Sequence, residues 1–478
     1  MPLKAKIIDP RVASRAQMHT DNANNAPKEL PDDPPNDVVF NNLYSLRTIE
    51  LNRPQKYNAL NASMIRKIFP RLVEWEKSDM ANVVIIKGAG DKAFCAGGDV
   101  AVLAEQNQEG PEGQRRSLEY FDLEYSLDHY IATYQKPYIA FMDGITMGGG
   151  VGLSVHAPLR IATERTVFAM PETTIGFFPD VGASFFLPKM AGSIGTYLAL
   201  TSERLKGANV FYSGIATHYL HSTSLPSLEA RLAELRFKDY YPMAQRLNII
   251  ERTIEEYATG LPPQEPLLLG GELRKAIDRC FSKDTVPDIL AALKEEDGST
   301  KAWAEKTLAT LHERSPTSVH VALRQMREAQ DWTIRQTFKR EYQIASKFME
   351  HHDFVEGVTA RLAKKEVKEA PKWQPASLED IQPDSNITDP FFRATEDTPK
   401  TQLFVDRDYS EYPFQSLGIP TEEEVKQEVK ADKRSRREIR DRLVQRRKGR
   451  QGIKIILEEI LARKTYVDED GKAAWIDE

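Results

Sequence analysis

Between Val38 and Leu51 the residues VVFNNLYSLRTIEL alternate, with Leu46, Thr48 and Glu50 set against Ile49 and Leu51. A period of two predicts one or two strands. The period then lengthens. In SMIRKIFPRLVEWEKS the apolar positions Met64, Ile68, Leu72 and Trp75 recur at helical spacing, and Pro70 is expected to bend this helix or break it. NVVIIKGAG is a continuous β-branched run stopped by glycine, as in a strand buried on both faces, and KPYIAFMDG and PLRIATERTVFAM supply more.

Strands alternating with helical patterns predict an α/β core with mostly parallel connections over residues 38–205. From Lys206 to about Lys365 the pattern is almost wholly helical, so residues 206–375 are expected to form a helical region packed on that core. Residues 1–37 form an N-terminal tail in which NANNAPKELPDDPPND, Asn22 to Asp37, is expected to be an extended linker. Residues 376–478 hold a second polar linker and a charged helical extension from Glu422 to Lys464. Its last turns, IKIILEEILARK, carry an apolar stripe of Ile453, Ile456, Leu457, Ile460 and Leu461, which predicts docking on a protein partner.

Composition narrows the function classes. With 478 residues, 41% of them hydrophobic, the chain can bury a full core, and no apolar run reaches the length of about eighteen that a spanning helix needs. A membrane partner is not expected. Cys95 and Cys280 lie far apart and the nine histidines show no ligand spacing, so no metal and no disulfide framework is predicted. The net charge of −6 is uneven: Lys430 to Arg450 holds eleven Lys/Arg against three Asp/Glu, a basic appendage on an acidic body. The first twenty residues set Lys4, Lys6, Arg11 and Arg15 against Asp9 alone. That balance suits a mitochondrial presequence, although Pro2, Asp9 and Pro10 make a poor amphipathic helix and a plain tail fits equally well.

The candidate chemistry lies in FAMPETTIGFFPDVG, Phe168 to Gly182, where Glu172 and Asp180 stand among aromatic residues. Carboxylates in apolar surroundings are costly unless paired or used. Two glycine-rich stretches precede them, AFCAGGDV (Ala93 to Val100) and GITMGGGVGLSVH (Gly144 to His156). Each follows a predicted strand and can present free backbone N–H groups, and two such groups can hold a carbonyl oxygen that gains negative charge.

Taken together, NRPQKYNAL, KAFCAGGD, QKPYIAFMDGITMGGGVGLSVH, FAMPETTIGFFPDVG, RLKGANV, GIATHYL, SPTSV and HDFVEGV resemble the crotonase (enoyl-CoA hydratase/isomerase) superfamily, and within it the 3-hydroxyisobutyryl-CoA hydrolases. The resemblance runs from about Val38 to Pro375. It implies a spiral of ββα units followed by a helical region, and hydrolysis of a short-chain acyl-CoA thioester, 3-hydroxyisobutyryl-CoA of valine catabolism, in the mitochondrial matrix. Carried over, the backbone N–H groups of Gly98 and Gly149 form the oxyanion hole, Glu172 is the main catalytic carboxylate, and Asp180 and Glu124 are further acyl-site positions. Glu172 would act as general base or as nucleophile. Lys56 falls in a segment that approaches coenzyme A, which belongs to the substrate, so no separate cofactor is implied. Hydratases carry a second glutamate where this chain has Gly152, which argues against water addition to a double bond. Cys95, beside the first glycine loop, reads as a packing residue.

The resemblance to the hydrolases stops near Trp373. Beyond it, KADKRSRREIRDRLVQRRKGR places Arg434, Arg436, Arg437, Arg440, Arg446, Arg447 and Arg450 around most of a helix, a pattern suited to RNA phosphate. Fungal relatives of the hydrolases are components of the mitochondrial small ribosomal subunit. A ribosomal protein built on the enzyme fold, with or without activity, is therefore the alternative expectation.

Overall fold

The computed structural model describes residues 26–362, 370–382 and 385–476, so the presequence-like stretch lies outside the described residues. β1 (Val38–Leu43) and β2 (Leu46–Leu51) form an antiparallel hairpin. A repeating unit follows, in which one strand joins a first sheet, the next joins a second sheet, and helix or turn leads to the following pair. β3 (Val83–Gly88), β5 (Tyr138–Met142) and β7 (Leu159–Ala162) enter the first sheet. β4 (Ala93–Cys95), β6 (Ile145–Met147) and β8 (Val167–Ala169) enter the second. β9 (Leu205–Lys206) and β10 (His218–Tyr219) close them. The first sheet has the order β1-β2-β3-β5-β7-β10 and the second β4-β6-β8-β9, with parallel pairing except at β1/β2 and β8/β9. This is the crotonase-like spiral of ββα units, with a helical C-terminal region.

The first sheet is buried on both faces, as its β-branched runs predict. Ile49, Leu51, Val84, Ile86, Ala140 and Met142 point into one core. Their alternates Leu46, Val83, Ile85, Ile139, Phe141, Leu159 and Ile161 meet helices Leu225–Ala233 and Met243–Glu255 in another.

Several expectations are corrected. Helix Ala62–Lys77 runs through Pro70 unbroken, because Ile65, Ile68, Phe69, Leu72 and Val73 are buried and this packing outweighs one lost backbone bond. Beyond Lys206 the chain is almost wholly helical as expected, with β10 the one strand among the described residues up to Leu362; two residues leave no period to read. The described part of the stretch expected to be an extended linker is docked: Asp33 takes Arg66 Nε at 2.8 Å and Asp37 takes Lys67 Nζ at 2.5 Å. The charged extension is three helices, Glu422–Ala431, Arg436–Arg446 and Ile453–Lys464, ended by a hairpin of β11 (Thr465–Val467) and β12 (Ala473–Trp475). Its apolar stripe is buried in this chain's own core, and Gly452, at its start, abuts Phe211 and Leu261. The hydrophobic demand was right and the surface that meets it lies within the same chain.

Lys67 and Asp37 are each about 3% exposed, so their ion pair is a buried one. Lys67→Ala leaves Asp37 buried without its cation and is expected to cost about 3 kcal/mol, read as a lower urea midpoint.

Candidate active site

Helix Pro111–Ala132 packs beside the short glycine helix Gly149–Val155 and sends two carboxyls into it. A Cβ at Gly149 would overlap Glu124 Oε1, and one at Gly152 would overlap the Asp128 carboxyl. Glycine is required at both positions because acid side chains occupy that space. The same constraint brings the glycine loops together, since Gly98 N lies 3.4 Å from where a Gly149 Cβ would stand. Leu60 fixes the first loop by donating to Gly97 O at 2.8 Å and accepting from Asp99 N at 2.8 Å. That leaves the Gly98 N–H, and the Gly149 N–H at the helix start, with no hydrogen-bond acceptor among the described residues.

Glu172 opens a 3-10 turn, Glu172–Ile175, directly after β8. Its side chain is 4% exposed, and its Oε2 atom has no hydrogen-bond partner among the described residues. Asp180 follows eight residues later and accepts from Tyr125 Oη at 2.7 Å. The next residue, Val181, is left-handed at φ 55°, a strained state for a β-branched side chain. Three side chains hold this loop. Glu341, from helix Ile334–Glu350, accepts from Gly182 N at 2.7 Å and Ser184 N at 2.9 Å. Gln325 donates to Pro179 O at 2.5 Å, and His156 donates from Nε2 to Val181 O at 2.9 Å.

The structure thus gathers five buried carboxyls, Glu124, Asp128, Glu172, Asp180 and Glu341. Burial, then the charge of Asp180, holds Glu172 and Glu124 well above the ordinary carboxylate range. Burial, then Glu124 and Asp180, does the same to Asp128, neither of whose oxygens has a partner among the described residues. Burial pushes Asp180 up to about 7 against the Tyr125 hydrogen bond. It pushes Glu341 to about 8 against the Ser184 N–H. An aromatic wall excludes water: Phe168 and Phe178 are fully buried, Phe177 stacks on Phe121 at 5.3 Å and Phe178 on Phe348 at 5.5 Å. The Cys95 thiol is buried and pushed up to about 12 by that burial, which fits a packing role and not a nucleophile.

Among the candidate residues, Gly98, Gly149, Glu124, Glu172 and Asp180 converge here. Lys56 does not enter the cluster. It is exposed and paired at 3.1 Å with Asp99, the residue after Gly98, which also holds Arg53 at 2.8 Å. The arginines of the extension form no common face. Arg447 is spent on Glu424, Arg450 on Glu251, Arg434 on Glu428, Arg436 on Thr465 and Arg440 on Glu458. Arg446 is exposed yet bonded to Glu428, and Arg437 is the most open of the seven, 84% exposed. Sequence reading missed Asp128, Tyr125, His156, Gln325 and Glu341. Asp128 had a signal, one helical turn after Glu124 in EYSLD, whereas Glu341 is 161 residues from Asp180 and had none.

Asp128→Asn gives a pH-dependent test. An unfolded Asp ionises near 3.8 while folded Asp128 keeps its proton, so the folded state binds more protons and its stability falls as pH rises above about 4. The slope for one proton is about 1.4 kcal/mol per pH unit. Denaturant unfolding followed upward from pH 4 should therefore show the Asn variant gaining on the wild type.

Residues 46–392 match the enoyl-CoA hydratase/isomerase family. The chain is 56% identical over 468 residues to small ribosomal subunit protein mS47 of Neurospora crassa, covering 97% of this chain and 91% of that protein. It is 45% identical over 342 residues to the mitochondrial 3-hydroxyisobutyryl-CoA hydrolase of Danio rerio, covering 72% of this chain and 86% of the relative. Among solved structures, a carnitinyl-CoA dehydratase from Mycobacterium thermoresistibile is 33% identical with a TM-score of 0.65, covering 77% of this chain and 98% of that one. Paired sheets built from ββα units, two glycine loops meeting over buried carboxyls, and these likenesses lead to one conclusion: the chain belongs to the enoyl-CoA hydratase/isomerase family.

Proposed function

We propose that this chain hydrolyses a short-chain acyl-CoA thioester, with 3-hydroxyisobutyryl-CoA as its substrate. The observation that carries this reading is the convergence of the two unengaged N–H groups, Gly98 and Gly149, with the buried Glu172 and Asp180. The thioester oxygen would sit between the N–H groups, each donor contributing on the order of 3 kcal/mol to stabilising the intermediate. Burial favours the protonated form of Glu172, so the reactive species is its ionised fraction, which acts in one of two ways. As base it takes a proton from water, hydroxide adds to the carbon, and the carbon–sulfur bond breaks to release the thiolate, which regains the proton. As nucleophile its oxygen adds to the carbonyl carbon and the carbon–sulfur bond breaks, leaving an anhydride and the thiolate; water then opens the anhydride and its proton passes to the thiolate. Under single turnover in 18O water, only this route, with attack at the Glu172 carbonyl, labels Glu172. Asp180, fixed by Tyr125, would hold the 3-hydroxyl of the acyl group. Lys56 and Arg53, paired to Asp99 beside the hole, mark the side on which a polyanionic coenzyme A would enter.

A second role is favoured by a separate observation. Similarity to the Neurospora ribosomal protein spans 97% of this chain, whereas the hydrolase relative covers 72%. The reading that follows is a protein of the mitochondrial small ribosomal subunit that keeps the hydrolase site. RNA contact then falls to the exposed Lys433, Arg437, Arg442 and Arg446, a narrower set than the helix pattern alone suggests.

Two experiments test these roles separately. Purified full-length chain should release coenzyme A from 3-hydroxyisobutyryl-CoA, and Glu172→Gln should lower kcat by about a thousandfold or more while remaining folded; a wild type without turnover, or an active variant, refutes the hydrolase reading. Full-length protein should sediment with mitochondrial small subunits at low salt and less so at high salt. Lys433→Glu with Arg437→Glu should weaken that association and reduce its salt dependence.

A further inference from the structure

We propose that segment 403–412 is a clasp that holds in register the elements bearing the site carboxyls, with Arg407 and Tyr412 as its positioning residues. Its catalytic consequence rests on the hydrolase reading above. The segment begins eleven residues beyond the end of the stretch that matches the family, at 392. It lies behind the site and touches four elements in turn.

The first is helix Pro111–Ala132, which carries Glu124 and Asp128. The neutral ring of His129, whose pKa burial lowers to about 4, donates from Nε2 to Arg407 O at 3.0 Å. The Arg407 guanidinium binds both oxygens of Glu76 at 2.7 Å, donates to Thr133 O at 2.6 Å and lies over the Tyr130 ring, fixing both strap and helix end. The second is the end of the glycine helix: Tyr412 Oη donates to Ala157 O at 2.8 Å and accepts from Arg160 at 3.1 Å. His156, at the cap of that helix, donates to Val181 O beside Asp180, so the strap is two bonds from the strained loop. The third is the short helix Ala183–Phe186 that continues that loop, where Phe185 packs edge-on against Tyr409 at 5.3 Å. The fourth is the start of helix Ile334–Glu350, which carries Glu341. Its first two N–H groups are capped by the strap, Ile334 N on Tyr409 O at 2.9 Å and Arg335 N on Asp408 Oδ1 at 3.0 Å.

Every element that delivers a carboxyl, except the 172–175 turn, therefore meets one ten-residue segment, the Asp180 loop through the helix that continues it and through His156. A strap serving only to tie down the extension would need none of the contacts to His129, Phe185 or the Ile334 helix end.

The test uses the full-length chain with Tyr412→Ala and, as the conservative change, Tyr412→Phe. Amide hydrogen exchange over 124–132 and 179–186 should quicken by about tenfold in Tyr412→Ala and less in Tyr412→Phe. For release of coenzyme A from 3-hydroxyisobutyryl-CoA, kcat should fall by about tenfold in Tyr412→Ala, with KM within about twofold and partial recovery in Tyr412→Phe. Faster exchange confined to 403–412 overturns the proposal, as does faster exchange at both elements with kcat unchanged. A wild type that releases no coenzyme A refutes the hydrolase reading instead, and the exchange pattern still decides the clasp.

Discussion

A carboxyl buried without a cation has to keep its proton or be held by donors, and the centre of this fold holds five such groups. Burial is the largest influence on Glu124, Asp128, Glu172, Asp180 and Glu341, and no cation offsets it in any of them. The geometry follows from that constraint. The glycine helix must be thin enough to admit Glu124 and Asp128, the 179–184 loop must turn its N–H groups toward Glu341, and an aromatic wall must keep water from screening the set.

The cost is visible at Val181. A left-handed valine is worth roughly 1–3 kcal/mol of strain, and it persists because Glu341, His156 and Gln325 fix the backbone on either side. Asp180 sits between that strain and the Tyr125 hydroxyl. Its position is thus set by residues from the helical region as much as by the α/β core, so the two parts meet around the carboxyls.

The fold was legible because its signals are local. Period-two runs, glycine stops and the spacing between the two glycine loops mark the strands and turns, and they lead to the family by resemblance. The site was half legible. Gly98, Gly149, Glu172, Asp180 and Glu124 stand in recognisable strings, whereas Glu341, Gln325 and His156 act through tertiary contacts that no neighbouring residue announces. The internal pairing of the extension was hidden for a related reason. Arginines around a helix imply an external polyanion only while their partners are unknown. Here the partners are Glu424, Glu428, Glu251 and Glu458, the first two on the preceding helix, one in the body and one on the last helix.

That internal neutralisation changes what the extension is. A basic tail held off the body by a flexible linker would leave its charges to an outside phosphate and its apolar stripe to an outside protein. In this chain the stripe closes its own core, most of the arginines close their own ion pairs, and the intervening strap binds the rear of the carboxyl cluster. Among the described residues, the side chains of the extension that stay exposed include the basic Lys433, Arg437, Arg442 and Arg446 and the apolar Ile455, Tyr466, Val467 and Ile476. An extension built in this way can face a large assembly without surrendering the packing that supports the site, and so the two proposed roles can coexist in one folded chain.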